Sequence, residues 1–391
     1  MKVALVTHTL LKGGGQARVN FELARHLMAA GVHVTAIAQR VAEELLDAGL
    51  HWRKIDVWPL RPYLISDHAF ARAAEHVVRD IGESFDAVIA NGFVLTGAPH
   101  AINISHFVHG AWRQSPFHTA RVCGGVYSRY HAFYSWCNAR WERRAYDAAE
   151  TVVAVSQKVR EELIGIGVSP RKIRVIVNGV DLDEFQPGPV NRSLLGLPVN
   201  APLALFVGDI RGPRKNLDGV LRAMVEVKDA HLAVVGETKN SPYPAEAARL
   251  GLGDRVRFLG YRRDVPDLMR AADLFVFPSR YEACSLALLE SLASGLPVIT
   301  ARTTGGSELV DSSCGRVLED AEDLHGLTSA LRQLTENIAE RDRLSLGARR
   351  RAEQCGWSRM ASQYIELLRE RAAITASPGS TVSRSLKPAF A

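Results

Sequence analysis

Glu282 and Glu290 stand eight positions apart in the run Glu282-Ala-Cys-Ser-Leu-Ala-Leu-Leu-Glu290. Along a helix that spacing is roughly 12 Å at ~1.5 Å per residue. It is too wide for two carboxyls flanking one glycosidic bond, which sit ~5–5.5 or ~6.5–9.5 Å apart. It suits the two ends of an elongated ligand. Glu290 lies among Leu289 and Leu292, and a buried carboxylate needs a partner. Upstream, Gly208-Asp-Ile-Arg211-Gly-Pro-Arg214-Lys215-Asn216 joins an expected strand Leu203–Val207 to an expected helix Leu217–Val227. Cations at a helix N-terminus oppose its dipole. A diphosphate leaving group, on which charge builds as its bond breaks, would justify them. Arg214 and Lys215 are the candidates for the phosphates, with Arg211 a further contributor.

In the first half, Lys12-Gly13-Gly14-Gly15-Gln16 follows the first strand. It lacks the G-x-G-x-x-G spacing of a dinucleotide fingerprint, which argues against NAD. Its glycines allow a ligand to approach the backbone closely. His106 and His109 fall at the carboxyl end of a strand. His106 reads as a satisfied core histidine and His109 as a cleft residue. Val126 to Tyr146 carries Val126, Tyr130, Phe133, Cys137 and Trp141 at helical spacing with Arg129, Arg140, Arg143 and Arg144 between them. A packed crossover helix is the favoured reading. Docking on an anionic bilayer is the other.

These residues must be positioned by the alternation of short apolar strands and helices that runs through the chain, the mark of parallel sheets with crossover helices. Expected strands are Val3–Thr7, Val32–Ala38, Ala87–Asn91, Ile102–Phe107, Val152–Val155 and Ile173–Val177. In the second half they are Leu203–Val207, Leu232–Val235, Val256–Leu259, Leu274–Phe277 and Val298–Thr300. The expected fold class is α/β, with two Rossmann-like doubly wound parallel-sheet domains facing a cleft. The 391 residues exceed one ordinary core. The Pro/Gly-rich stretch from Phe185 to Val190, followed by Leu197–Pro202, marks the linker. The domains expected are 1–186 and 187–359, with a helix at about 360–373 returning to the first and a disordered tail at 376–391. Ligands of open α/β sheets bind at the carboxyl ends of the strands, so both halves should build the site. A net charge of +6 is too weak to argue for nucleic acid. No apolar run is long enough to span a membrane. Five scattered cysteines without C-x-x-C spacing fit a reducing cytoplasm better than disulfides or zinc.

On these motifs the chain resembles the retaining glycosyltransferases of the GT-B fold with the Glu-x7-Glu motif. That large family includes sucrose synthases and phosphatidylinositol mannosyltransferases. The matches keep the family's order from the Gly13–Gly15 loop to Glu308 in Gly305-Gly-Ser-Glu308. The resemblance implies a nucleoside diphosphate sugar donor, a hydroxyl acceptor and peripheral contact with a membrane where that acceptor is lipid-linked. Glu282 would bind donor-sugar hydroxyls and Glu290 the ribose hydroxyls. Backbone amides of Cys284, Ser285 and Leu286 would meet sugar and phosphate, and His109 would position the sugar. Gly14, Gly15 and Gly208 would lie beside the donor, with Glu308 nearby. Asn178-Gly-Val-Asp181 matches the turn by which the family leaves its first domain. The chain carries Ala283-Cys284-Ser285-Leu286-Ala287 where the family has Gly-Phe-Gly-Leu-Pro, and Asp209 where it often has Arg. No cofactor or catalytic metal is expected, since the cations can neutralise a diphosphate and no Asp-x-Asp cluster is present. The alternatives are a sugar-nucleotide epimerase of the same fold, an inactive nucleotide-sugar-binding module, and a phosphorylase-like enzyme using pyridoxal phosphate.

Overall fold

A computed structural model describes residues 1–57, 63–81, 84–122 and 124–376. Cys123 and the tail beyond residue 376 lie outside them. The first sheet contains β1 (Lys2–Val6), β3 (His33–Ala38), β5 (His51–Lys54), β6 (Ala87–Asn91), β7 (His100–Ser105), β8 (Ala149–Ala154) and β9 (Ile173–Val175). All are parallel, in the order β5-β3-β1-β6-β7-β8-β9. Two short strands, β2 (Thr9–Leu10) and β4 (Arg40–Val41), pair beside it. The second sheet contains β10 (Leu203–Val207), β11 (His231–Val235), β12 (Val256–Gly260), β13 (Leu274–Phe277), β14 (Val298–Ala301) and β15 (Gly315–Leu318). Its order is β12-β11-β10-β13-β14-β15, again parallel.

Helices cover both faces of each sheet, so central strands such as β6 and β13 are buried along their whole length. The strands not foreseen are two of the four edges, β5 and β15, and the short pair. β5 has the polar sequence His-Trp-Arg-Lys, and β15 is four residues long, so neither carries an apolar signature. The order reverses between β1 and β6 in the first sheet and between β10 and β13 in the second. Reversal leaves a crevice at the carboxyl ends of those strands. The loops there hold the glycine run, the Gly208–Lys215 turn and the Glu282 turn.

The chain passes from the first core to the second earlier than the Pro/Gly-rich stretch suggests. Ile176 packs in the first core, whereas Val180, Phe185 and Leu197 pack in the second. Arg349 pins the segment by donating to the carbonyls of Leu182 (3.2 Å), Phe185 (3.0 Å) and Ala293 (2.9 Å). The return crossing lies alongside, with Val180 N–H donating to Cys355 (2.9 Å) and Trp357 N–H to Val180 (3.3 Å). Helix Trp357–Ala376 then places Trp357, Met360, Tyr364 and Leu368 in the first core, one face at helical period.

The two crossings touch because Gly179 has no side chain. A Cβ there would come within 2.5 Å of Trp357 Cε3 and 2.7 Å of its Cα. Gly179→Ala should lower the unfolding free energy by about 1–3 kcal/mol, as overpacking does. Gly165→Ala, where a Cβ meets nothing within 4 Å, should leave the urea midpoint essentially unchanged.

Candidate functional site

The turn after β10 is held so that its cations are withdrawn from water. Pro213–Lys215 form one 3-10 turn ending at Asn216, which has φ 60 and accepts from Gly219 N–H to cap the next helix, Leu217–Glu226. Lys215 is buried, 8 % exposed, and its ammonium pairs with the Glu282 carboxylate. Burial and the neighbouring Arg214 push the ammonium's pKa down. The Asp209 carboxylate works the other way. The Arg214 carbonyl accepts from Arg280 N–H (2.9 Å) and Ser279 Oγ (3.1 Å), which fixes the backbone. Its guanidinium is half-buried and makes no direct ion pair among the described residues; burial lowers its pKa and the Asp209 carboxylate offsets part of this. Arg211 is different. It is exposed and held by Asp209 at 2.8 and 2.9 Å, so its charge is already answered within its own loop.

Arg280, not foreseen from the sequence, organises this turn. Its buried guanidinium binds Asp218 at 2.7 Å twice, Glu322 at 2.6 and 3.1 Å, and the Pro213 carbonyl at 2.8 Å. Only its position beside Glu282 could have hinted at this. Glu282 itself sits before the helix, not on it. The helix is Leu286–Ala293, and Ser285 is its N-cap, accepting from Leu288 N–H at 3.2 Å. The distance reckoned along a helix between Glu282 and Glu290 therefore does not apply. Nor does every amide expected to face a ligand do so: Ser285 N–H donates to the Gly305 carbonyl at 3.0 Å. Gly305 N–H in turn donates to the Glu282 carbonyl at 2.9 Å, and a Cβ on Gly305 would overlap the Ala283 carbonyl. Cys284 is packed between the two cores, its thiol pushed up to about 12 by burial. Leu286 opens the helix.

Glu290 lies one helical turn inside and is half-buried. Burial lifts its carboxyl to about 7, with Glu184 adding repulsion and Arg18 offsetting part of it. Arg18 belongs to the first domain's helix Gly15–Ala29 and bonds Glu22 at 2.9 Å and Glu184 at 3.1 Å. Gly14 (φ 86) caps this helix without a side chain and Gly15 begins it. Glu308 departs from the expectation. It is exposed, and its two carboxylate oxygens accept from Gln157 N–H (2.7 Å) and Gly306 N–H (3.0 Å). It clamps the start of a first-domain helix, Gln157–Gly165.

His109 begins a short helix, His109–Trp112, after β7. Its ring lies against Phe107 and Phe93, with centroids 4.9 and 5.7 Å away. Its buried Nδ1 has no partner among the described residues. Burial, then His118, lowers its pKa to about 4. His106 was read as a satisfied core histidine, but its buried Nε2 has no partner among the described residues, and burial lowers its pKa to about 4 as well. The His109 turn rests on Glu142, a residue the sequence did not single out. Glu142 accepts from His109 N–H at 2.8 Å and Gly110 N–H at 2.7 Å, and burial raises its carboxyl to about 8.

Comparison with known proteins places these two halves. Residues 13–184 match the family model "Glycosyltransferase Family 4" and residues 201–337 match "Glycosyl transferases group 1". A D-inositol 3-phosphate glycosyltransferase of Thermobispora bispora is 33% identical over 248 residues, 59% of this chain and 58% of that protein. An Escherichia coli UDP-Gal:alpha-D-GlcNAc-diphosphoundecaprenol alpha-1,3-galactosyltransferase is 32% identical over 182 residues, 44% of this chain and 47% of that one. The chain thus spans about half of the length of these relatives. Among solved structures, WaaG, a glycosyltransferase involved in lipopolysaccharide biosynthesis, shares the fold with TM-score 0.76 and 22% identity over 94% of this chain and 99% of that one. Anabaena HepE in complex with UDP-glucose has TM-score 0.70 and 19% identity, over 95% of this chain and 100% of that one.

The His109 ring should remain neutral through pH 5–8, as imidazole nitrogen NMR shifts will show. A pKa held below its unfolded value makes the unfolded chain take up the proton first, so this residue's contribution to stability is present above pH 6.5 and lost as pH falls toward 4. The stability difference between the native chain and His109→Gln should shrink across that window by up to about 3 kcal/mol.

Proposed function

We propose that this chain, whose two halves match glycosyltransferase family models and which has the GT-B fold, moves a sugar from a nucleoside diphosphate sugar to a hydroxyl acceptor with retention of the anomeric configuration. One observation carries the reading. The Arg214 guanidinium is half-buried at a switch-point turn and makes no direct ion pair among the described residues, Asp209 acting on it only at longer range. A cation so placed favours an anion that arrives with the substrate, and it gains strength as a diphosphate leaves. Lys215 is beside it, and a donor phosphate would compete with Glu282 for that ammonium and release the carboxylate to sugar hydroxyls. Glu290 takes the ribose hydroxyls. His109, neutral and with a free ring nitrogen, meets the sugar from the other domain. Each partner acts by binding and orientation. On this reading the departing phosphate oxygen takes the acceptor proton, so no protein nucleophile is required.

HepE's complexes with UDP and UDP-glucose make uridine diphosphate sugars the first donors to try. The diphosphoundecaprenol acceptor in the name of the Escherichia coli relative makes a lipid-linked acceptor the first acceptor class. One surface supports the latter. Among the described residues no helix is long and apolar enough to cross a membrane. The helix Gly125–Ala148, however, turns only part of its apolar residues inward. Cys137 is buried, while Val126 is 82% exposed, Phe133 54% and Trp136 47%, with exposed Arg129 and Arg140 on the same face. Aromatics and arginines along one helical face suit an anionic bilayer.

A hydrolysis screen of common nucleotide sugars should find one donor turned over, and Glu290→Ala should weaken its binding about 10-fold or more. Unchanged affinity removes Glu290 from the ribose site; a donor that is interconverted without acceptor points to an epimerase instead. Because a protonated carboxyl cannot accept from both ribose hydroxyls, UDP affinity should fall as pH drops below about 7. Glu290→Gln should flatten that dependence in calorimetry. Phosphatidylglycerol vesicles should sediment the native chain and retain less of Phe133→Ser/Trp136→Ser. A native chain left in the supernatant would refute the membrane contact.

A further inference from the structure

The turn that carries Glu282 is built into the opposite domain. Arg280 lies with its guanidinium carbon 4.6 Å from the ring centroid of Phe117. Tyr281 is buried between Trp112 (4.7 Å) and Phe107 (5.3 Å), with Lys158 Nζ 3.9 Å over its ring. Its hydroxyl is 3.2 Å from the Val108 carbonyl and 3.1 Å from Glu162 Oε2 and can donate to either. Lys158 pairs with the other Glu162 oxygen. Ser156 Oγ donates to the Ala283 carbonyl at 2.6 Å, and the Ala283 side chain belongs to the first domain's core. Every one of these partners is in the first domain. Val108 is the residue before His109.

We propose that Tyr281 is a positioning residue that couples the two halves of the site, setting the Glu282 turn and the His109 turn together only when the domains are closed. This rests on the donor reading above for its consequence, not for its geometry. Tyr281 and Glu282 are consecutive, so a shift of one moves the other. The hydroxyl holds the Val108 carbonyl from the front while Glu142 holds the His109 and Gly110 amides from behind. Opening the cleft must break the Tyr281, Ser156 and Glu308 contacts as a set, since all three cross it. The sugar-binding carboxylate and the sugar-positioning histidine are then assembled by one event, which is how closure can commit a donor and exclude water. A donor bound to the second domain alone would meet a Glu282 turn stripped of its first-domain neighbours.

Hydrogen–deuterium exchange on the full chain tests the coupling without any ligand. In Tyr281→Phe, which keeps the ring and removes only the hydroxyl, peptides covering residues 105–115 and 279–286 should exchange about 10-fold faster together, with the β1 and β10 strands unchanged. Glu162→Ala, which removes the partner on the other side, should open the same two peptides. Acceleration confined to one peptide, or absent from both in both variants, overturns the proposal. With UDP-glucose or the donor found in the screen, Tyr281→Phe should lower kcat ~10-fold and leave the donor KM within ~3-fold, since misplacement acts on the reacting geometry. A KM rise at constant kcat would also overturn it. If the native chain turns over no nucleotide sugar, the donor reading fails and the exchange result alone decides the coupling.

Discussion

A site for a diphosphate must keep positive charge out of water without letting the protein neutralise it first. Several arginines around the cleft are answered by acids. Arg211 is taken by Asp209, Arg18 by Glu22 and Glu184, and Arg280 by Asp218 and Glu322. Arg214 is left over because the turn that carries it is held through its backbone, by Arg280 and Ser279. A fully paired buried arginine thus fixes the shape, and an unpaired one beside it is left to act. Removing a partner from a buried charge is costly, so the division of labour between Arg280 and Arg214 is set by geometry that neither residue type specifies.

The same logic governs the carboxylates. Glu142 is buried and Glu290 half-buried, and both are raised, but their surroundings differ. Glu142 has two backbone N–H donors and serves as a support behind the His109 turn. Glu290 instead has the charges of Glu184 and Arg18 near it. Glu282 and Lys215 hold each other in this state, which keeps two desolvated groups paired until something displaces one of them. Ser285 shows how a departure from the family motif is absorbed locally: its hydroxyl caps the helix.

The two domains are also less separate than two sheets imply. The C-terminal helix returns to the first core, the crossings at Gly179 and Gly356 run side by side, and Ala283 buries in the core of the domain it does not belong to. Motion between the sheets is therefore channelled through a narrow double hinge and a small set of contacts at the mouth of the cleft.

How much of this was legible beforehand follows physical lines. Central strands such as β6 and β13 were readable because burial on both faces demands unbroken apolar runs, and the motif loops were readable because strand-to-helix turns with glycine and cations are unusual in composition. Edge strands β5 and β15 were not, since an edge needs little apolar sequence. The sequence by itself determined that Arg214, Lys215, Glu282 and His109 fall at strand ends and that Glu290 falls on the helix after one. Only the tertiary structure decided which charges pair, that Arg211 and Glu308 are spent on contacts of their own, and that Arg280, Tyr281 and Glu142 hold the site. Pairing and support depend on residues far apart in the chain meeting in a desolvated space, and spacing along one strand or helix carries no record of that meeting.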